Sequence, residues 1–107
     1  MSDLDSEIDS HRKDLVDLCG RLVARRSPSP PGDATGVARE VQAFLNAEGV
    51  ASELICQTPE APNVVATVQG SAPGPHLILN AHMDTMQPGD ESRWTVPIYE
   101  LTKKDGR

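Results

Sequence analysis

His76-Leu77-Ile78-Leu79-Asn80-Ala81-His82-Met83-Asp84-Thr85 joins an apolar run to a histidine and an aspartate two residues apart. The run is of strand length and lacks the polar alternation of a strand wet on one face, which predicts a strand inside a sheet. Successive side chains of a strand point to opposite faces. Leu77, Leu79, Ala81 and Met83 then share one face, and Ile78, Asn80, His82 and Asp84 share the other. His82 and Asp84 project the same way, roughly 7 Å apart by strand rise. Two readings fit that spacing. One is a hydrogen-bonded surface pair at a strand end. The other is a metal-ligating imidazole steadied by a carboxylate, because metal-bound histidines usually have such a partner on the second ring nitrogen. Structural zinc needs four protein ligands and catalytic zinc usually three with a water. One histidine is not a site, so further ligands must come from elsewhere.

Toward the N-terminus, Gly70–Pro75 is a turn-rich link. Asn63–Gln69 and Val50–Cys56 read as strands, separated by a loop over Gln57–Pro62. Before them, Val37, Val41, Phe44 and Leu45 form the apolar stripe of a helix that Asp33 can cap and Gly49 can end, near Glu48. Ser27-Pro28-Ser29-Pro30-Pro31-Gly32-Asp33 is a stiff loop, since proline lacks the amide donor and clashes with a preceding helical turn. Residues 3–26 read as the first helix, with Leu4, Ile8, Leu15, Leu18 and Leu22 at helical spacing and a stripe that packs on the sheet. Acidic residues at its start and Arg21, Arg25 and Arg26 at its end suit the helix dipole. The arginines could also hold an anion, but their place at the helix end suffices to explain them. His11 on this helix reads as solvent-facing or as a helix-packing residue.

Toward the C-terminus, Glu91–Val96 is a loop carrying Trp94, and Pro97–Thr102 reads as a strand. Asp105-Gly106 is the strongest short hairpin signal. A hairpin needs a returning strand, which favours a cut chain over a frayed polar tail. The element order fits an α/β fold, with two N-terminal helices packed on a mixed, mainly parallel sheet.

At 107 residues the chain is at most one ordinary domain, and its hydrophobic share of 37% is modest for a large core. A formal net charge of -6 argues against nucleic acid, which asks for a basic footprint. No apolar run approaches the roughly 20 residues of a membrane span. Asp3, Asp5, Glu7 and Asp9 are unlike the basic start of a secretory signal. Cys19 and Cys56, without a CxxC, read as reduced thiols of a cytoplasmic protein, with a disulfide between them left open.

Taken together, the segments resemble the N-terminal part of the catalytic domain of the acetylornithine deacetylase / succinyl-diaminopimelate desuccinylase family of metallohydrolases. The resemblance runs over most of the chain. It rests on Pro30-Pro31-Gly32-Asp33, on Asn63-Val64-Val65-Ala66, on Leu77 to Thr85, on Trp94-Thr95-Val96-Pro97 and on Asp105-Gly106-Arg107. Ile98 departs from the family, many of whose members show a second proline there.

The resemblance implies that His82 is a metal ligand and that Asp84 is the catalytic aspartate that orients and polarises it. It implies two divalent metal ions, zinc or cobalt, and hydrolysis of an amide bond in an N-acyl amino acid or small peptide. It also implies that the bridging aspartate, the paired glutamates and the remaining ligands lie beyond Arg107. A smaller lid domain, which leaves a homodimer open for the parent enzyme, lies there too. Residues 1–107 would then be an incomplete, truncated zinc-peptidase catalytic domain, metal-free and inactive alone. Two alternatives stay open: a dipeptidase or carboxypeptidase of the same superfamily, and a non-catalytic, stand-alone α/β interaction module.

Overall fold

The computed structural model describes residues 3–107. The chain is mixed α/β and divides into two compact units, Met1–Arg25 with Gly89–Arg107, and Arg26–Pro88.

In the first unit, helix α1 spans Asp3–Ser10 and α2 spans Arg12–Val23. The single helix expected over residues 3–26 is thus broken at His11, whose φ of -95° and ψ of 9° lie outside the helical region. The local hydrogen bonding explains the break. Ser10 Oγ donates to the Glu7 carbonyl at 2.7 Å, a back-bond of the kind that bends helices. The His11 amide is then shared between the carbonyls of Glu7 and Ile8, at 3.3 and 3.2 Å. Ion pairs Arg12–Asp9 and Lys13–Asp17 run along the surface at helical spacing. The apolar stripe is not buried: Leu4, Ile8 and Leu15 are exposed. On α2, Gly20 admits Leu101 so closely that an added Cβ would stand 3.3 Å from the leucine Cβ.

The expected strand Pro97–Thr102 does not form. No described strand pairs with it, and a strand without a neighbour has no ladder to hold it. The turn beyond it does form. Asp105 and Gly106 have φ of 52° and 76°, and Lys104 and Arg107 exchange main-chain hydrogen bonds at 2.8 and 2.9 Å. Two successive positive φ values are the requirement of a two-residue hairpin turn, met here by Asp-Gly.

The second unit holds helix α3, Thr35–Ala47, packed on an antiparallel hairpin of β2, Ser52–Cys56, and β3, Pro62–Ala66. Leu54 faces Val64 across the hairpin and Cys56 faces Pro62. Asp33 Oδ1 accepts the Thr35 amide at 2.9 Å, so the aspartate caps α3 from just outside its first turn. That bond, with a further one from the threonine hydroxyl, holds the Asp33 carboxyl below its ordinary range. At the other end, Gly49 with φ of 77° permits paired bonds from its own amide to Asn46 and from Val50 to Leu45, at 3.1 and 2.8 Å. The core lies under α3, where Ala34, Val37 and Ala38 are buried.

The sheet expected to be mainly parallel is not so. The longer pairing is antiparallel, and the parallel one joins only β1, Pro28–Ser29, to β4, Thr85–Met86. The expected buried strand before Thr85 is irregular, and Leu77, Ile78 and Leu79 are 83%, 85% and 87% exposed. Pro73-Gly74-Pro75 leads into it without ladder bonds, and no described strand lies alongside to take its main-chain groups. Among the described residues, no helix is long and apolar enough to cross a membrane.

Candidate functional site

The loop between α2 and α3 and the segment Met83–Gln87 are laced together. Thr85 donates its amide to the Ser27 carbonyl at 2.9 Å. Ser27 Oγ donates to the Met83 carbonyl at 2.8 Å. Gln87 Nε2 donates to the Pro30 carbonyl. Ser27 is only 2% exposed, and so it is a buried polar group with its hydroxyl satisfied. The loop turns at Gly32, whose φ of 73° suits glycine and whose amide donates to the Pro28 carbonyl at 2.9 Å.

Asp84 sits at the head of β4, within this lacing, and His82 folds against it. His82 Nδ1 lies 2.7 Å from the Asp84 main-chain oxygen and 3.2 Å from its Oδ1. The structure therefore brings together the two residues singled out in the sequence. A shared strand face does not do it, because residues 76–84 form no strand. It is done by a local turn of the imidazole onto the backbone two residues ahead. A carbonyl oxygen only accepts, so the proton of the neutral ring belongs on Nδ1. The lone pair is then on Nε2, which no described residue engages. The His82 side chain is largely exposed and that of Asp84 about half exposed.

An imidazole with Nδ1–H tied down and Nε2 open fits one ligand position of a divalent metal ion. Among the described residues, no three of His, Cys, Asp or Glu converge to hold a metal. A hollow of about 440 Å³ in the second unit is lined by Thr35, Arg39, Cys56, Gln57 and Thr58 among others, and contains neither His82 nor Asp84. Nothing in the sequence marked Ser27 as part of the site. Its signal was the run of Ser and Pro at residues 27–31, which reads as a connector and says nothing of the partner 56 residues away.

The chain is similar to two proteins named N-formyl-4-amino-5-aminomethyl-2-methylpyrimidine deformylase. The one from Halalkalibacterium halodurans is 29% identical over 99% of this chain and 26% of its own length. The one from Bacillus subtilis is 27% identical over 96% of this chain and 25% of its own length. A probable succinyl-diaminopimelate desuccinylase of Staphylococcus epidermidis is 34% identical over 60% of this chain and 15% of its own length. The chain thus spans about a quarter of the length of the deformylases it matches. No family model matches, and no solved structure does. By their names, these relatives are hydrolases that remove an acyl group from a small molecule, which supports amide-bond hydrolysis as the activity of the group.

Proposed function

We propose that the whole protein is a metal-dependent amidohydrolase that cleaves the amide bond of an N-acyl amino acid or small peptide, as the acetylornithine deacetylase / succinyl-diaminopimelate desuccinylase family does. The observation that carries this reading is the hydrogen bond from His82 Nδ1 to the Asp84 main-chain oxygen at 2.7 Å. It fixes the tautomer that leaves Nε2 free for a metal ion. Asp84 Oδ1, 3.2 Å from the same nitrogen, helps to hold the ring in that orientation.

The group proposed to bind is a pair of zinc or cobalt ions, which when bound lower the pKa of a coordinated water and polarise the scissile carbonyl. His82 supplies one ligand, and the rest of the whole protein supplies the others. Asp84 orients His82. A cytoplasmic setting, with Cys19 and Cys56 as reduced thiols, is part of this reading.

The alignments that cover nearly the whole chain support a second reading, in which the substrate is an N-formyl group on an aminomethylpyrimidine. One experiment addresses both. The whole protein is stripped with a chelator and reloaded with zinc or cobalt. Release of free amine is then measured from N-acetyl and N-succinyl amino acids, small peptides and the formylaminomethylpyrimidine. Metal-restored hydrolysis of one class identifies the substrate. No hydrolysis of any class at full metal loading would sink the proposal.

A further inference from the structure

We propose that Ser27 is a positioning residue for the His82–Asp84 pair, and this rests on the reading of that pair as a metal ligand and its orienting acid. Two peptide units flank Asp84. The first contains the Met83 carbonyl and the Asp84 amide, and the second contains the Asp84 carbonyl and the Thr85 amide. Ser27 holds both. Its hydroxyl donates to the Met83 carbonyl at 2.8 Å, and its own carbonyl accepts the Thr85 amide at 2.9 Å.

A trans peptide unit is planar, with its C=O and N–H pointing in opposite directions. Pinning the Thr85 N–H onto Ser27 therefore aims the Asp84 C=O away from Ser27, and its acceptor atom lies 2.7 Å from His82 Nδ1. The hydroxyl fixes the preceding unit and so sets the Asp84 φ from the other side. Only residues in a buried position can do this without competition from water, and Ser27 is 2% exposed. The neighbouring Ser29 is exposed and has no such bond. The loop thus acts through the backbone of Asp84 to choose which ring nitrogen of His82 carries the proton.

The test compares Ser27→Thr with Ser27→Val in the whole protein. The two side chains have nearly the same shape and differ in the hydroxyl, so loss of packing weighs equally on both. The first readout is ring nitrogen-15 NMR of His82 in the metal-free protein at about pH 8, above the ordinary imidazole pKa. His11 and His76 serve as internal references. The second readout is cobalt affinity by titration of its visible absorption.

The wild type and Ser27→Thr are expected to show the Nδ1–H form. Ser27→Val is expected to show a mixture with the Nε2–H form, and cobalt binding weaker by about ten-fold, at the lower end of losses seen when a ligand's supporting partner is removed. Should Ser27→Val fail to fold, Ser27→Ala takes its place against Ser27→Thr. Equal tautomer ratios in the hydroxyl-bearing and hydroxyl-free variants would overturn the role of Ser27. The tautomer readout needs neither metal nor substrate. If the ratio responds while the wild type neither binds cobalt nor hydrolyses an amide, Ser27 keeps its role and the hydrolase reading fails.

Discussion

Gly32 backs onto Asp84: a Cβ added at the glycine would stand 3.8 Å from the Asp84 Cβ, and only 3.2 Å from Ser29 Oγ. Gly32 also has φ of 73°, so Gly32→Ala meets a conformational cost and a steric one together. The left-handed backbone alone costs an L-residue about 1–2 kcal/mol. Gly49 is the control, since its φ is 77° and a Cβ there would meet nothing within 4 Å. Gly32→Ala is expected to lower the denaturant midpoint more than Gly49→Ala does. Equal losses would show that the crowding at Ser29 has no energetic weight.

His82 and Asp84 separate by what each variant removes. His82→Ala deletes the ligand nitrogen and should abolish binding of one cobalt ion in equilibrium dialysis of the whole protein. Asp84→Asn keeps the main-chain oxygen at 2.7 Å, so the ring keeps its proton on Nδ1. It loses only the carboxylate charge at 3.2 Å. Cobalt should still bind, with affinity or activity reduced about 10–100-fold. Unchanged cobalt stoichiometry in His82→Ala would remove the histidine from the metal site.

The sequence was most legible where the determinant was local. Helix α3 was readable from its apolar stripe with Asp33 before it and Gly49 after it, and the Asp105-Gly106 turn from the dipeptide itself. Strands β2 and β3 formed as a pair within two residues of the expected starts, with β3 ending at Ala66 rather than Gln69, because their partner lies one short loop away. Legibility failed where a segment depends on a distant partner. Leu77, Ile78 and Leu79 carry the pattern of a buried strand, yet pattern alone does not provide the neighbour that buries it. The spacing predicts a shared strand face for His82 and Asp84, whereas they meet through a turn of the ring onto the Asp84 backbone, beside a bond from Ser27 that spacing could not reveal. The break at His11 was hidden because it comes from a Ser10 side-chain bond and a shared His11 amide, which leave the apolar periodicity intact.

Ala38 is fully buried, next to Val37 and one turn on from Ala34, on the helix that packs against the hairpin. Extra methylenes in a closed position force neighbours off their preferred rotamers and cost about 1–3 kcal/mol. Ala38→Leu is expected to fall in that range by urea unfolding. Ala43→Leu, on the exposed side of the same helix, should change stability little, as leucine and alanine are both good helix formers. A neutral Ala38→Leu would mean that the face under α3 is loose enough to accept a side chain.

His11 gives the first unit a pH response of definite sign. Its Nδ1 lies 3.0 Å from Asp14 Oδ2 and its Nε2 lies 3.1 Å from Glu7 Oε1. Both ring nitrogens can donate together only in the imidazolium, so the bond to Asp14 and then that to Glu7 raise the His11 pKa above its ordinary 6.5. A folded-state pKa above the unfolded one gives stabilisation that is complete below the unfolded value. It is lost as pH rises through the raised value. The His11 ring proton should therefore titrate with a midpoint above 6.5, and helical signal should fall as pH passes through that midpoint. His11→Gln should flatten the profile. Because the ring is exposed, high salt should draw the midpoint back toward the ordinary value. A midpoint at or below 6.5 in low salt would show that Glu7 and Asp14 do not hold the charged ring in solution.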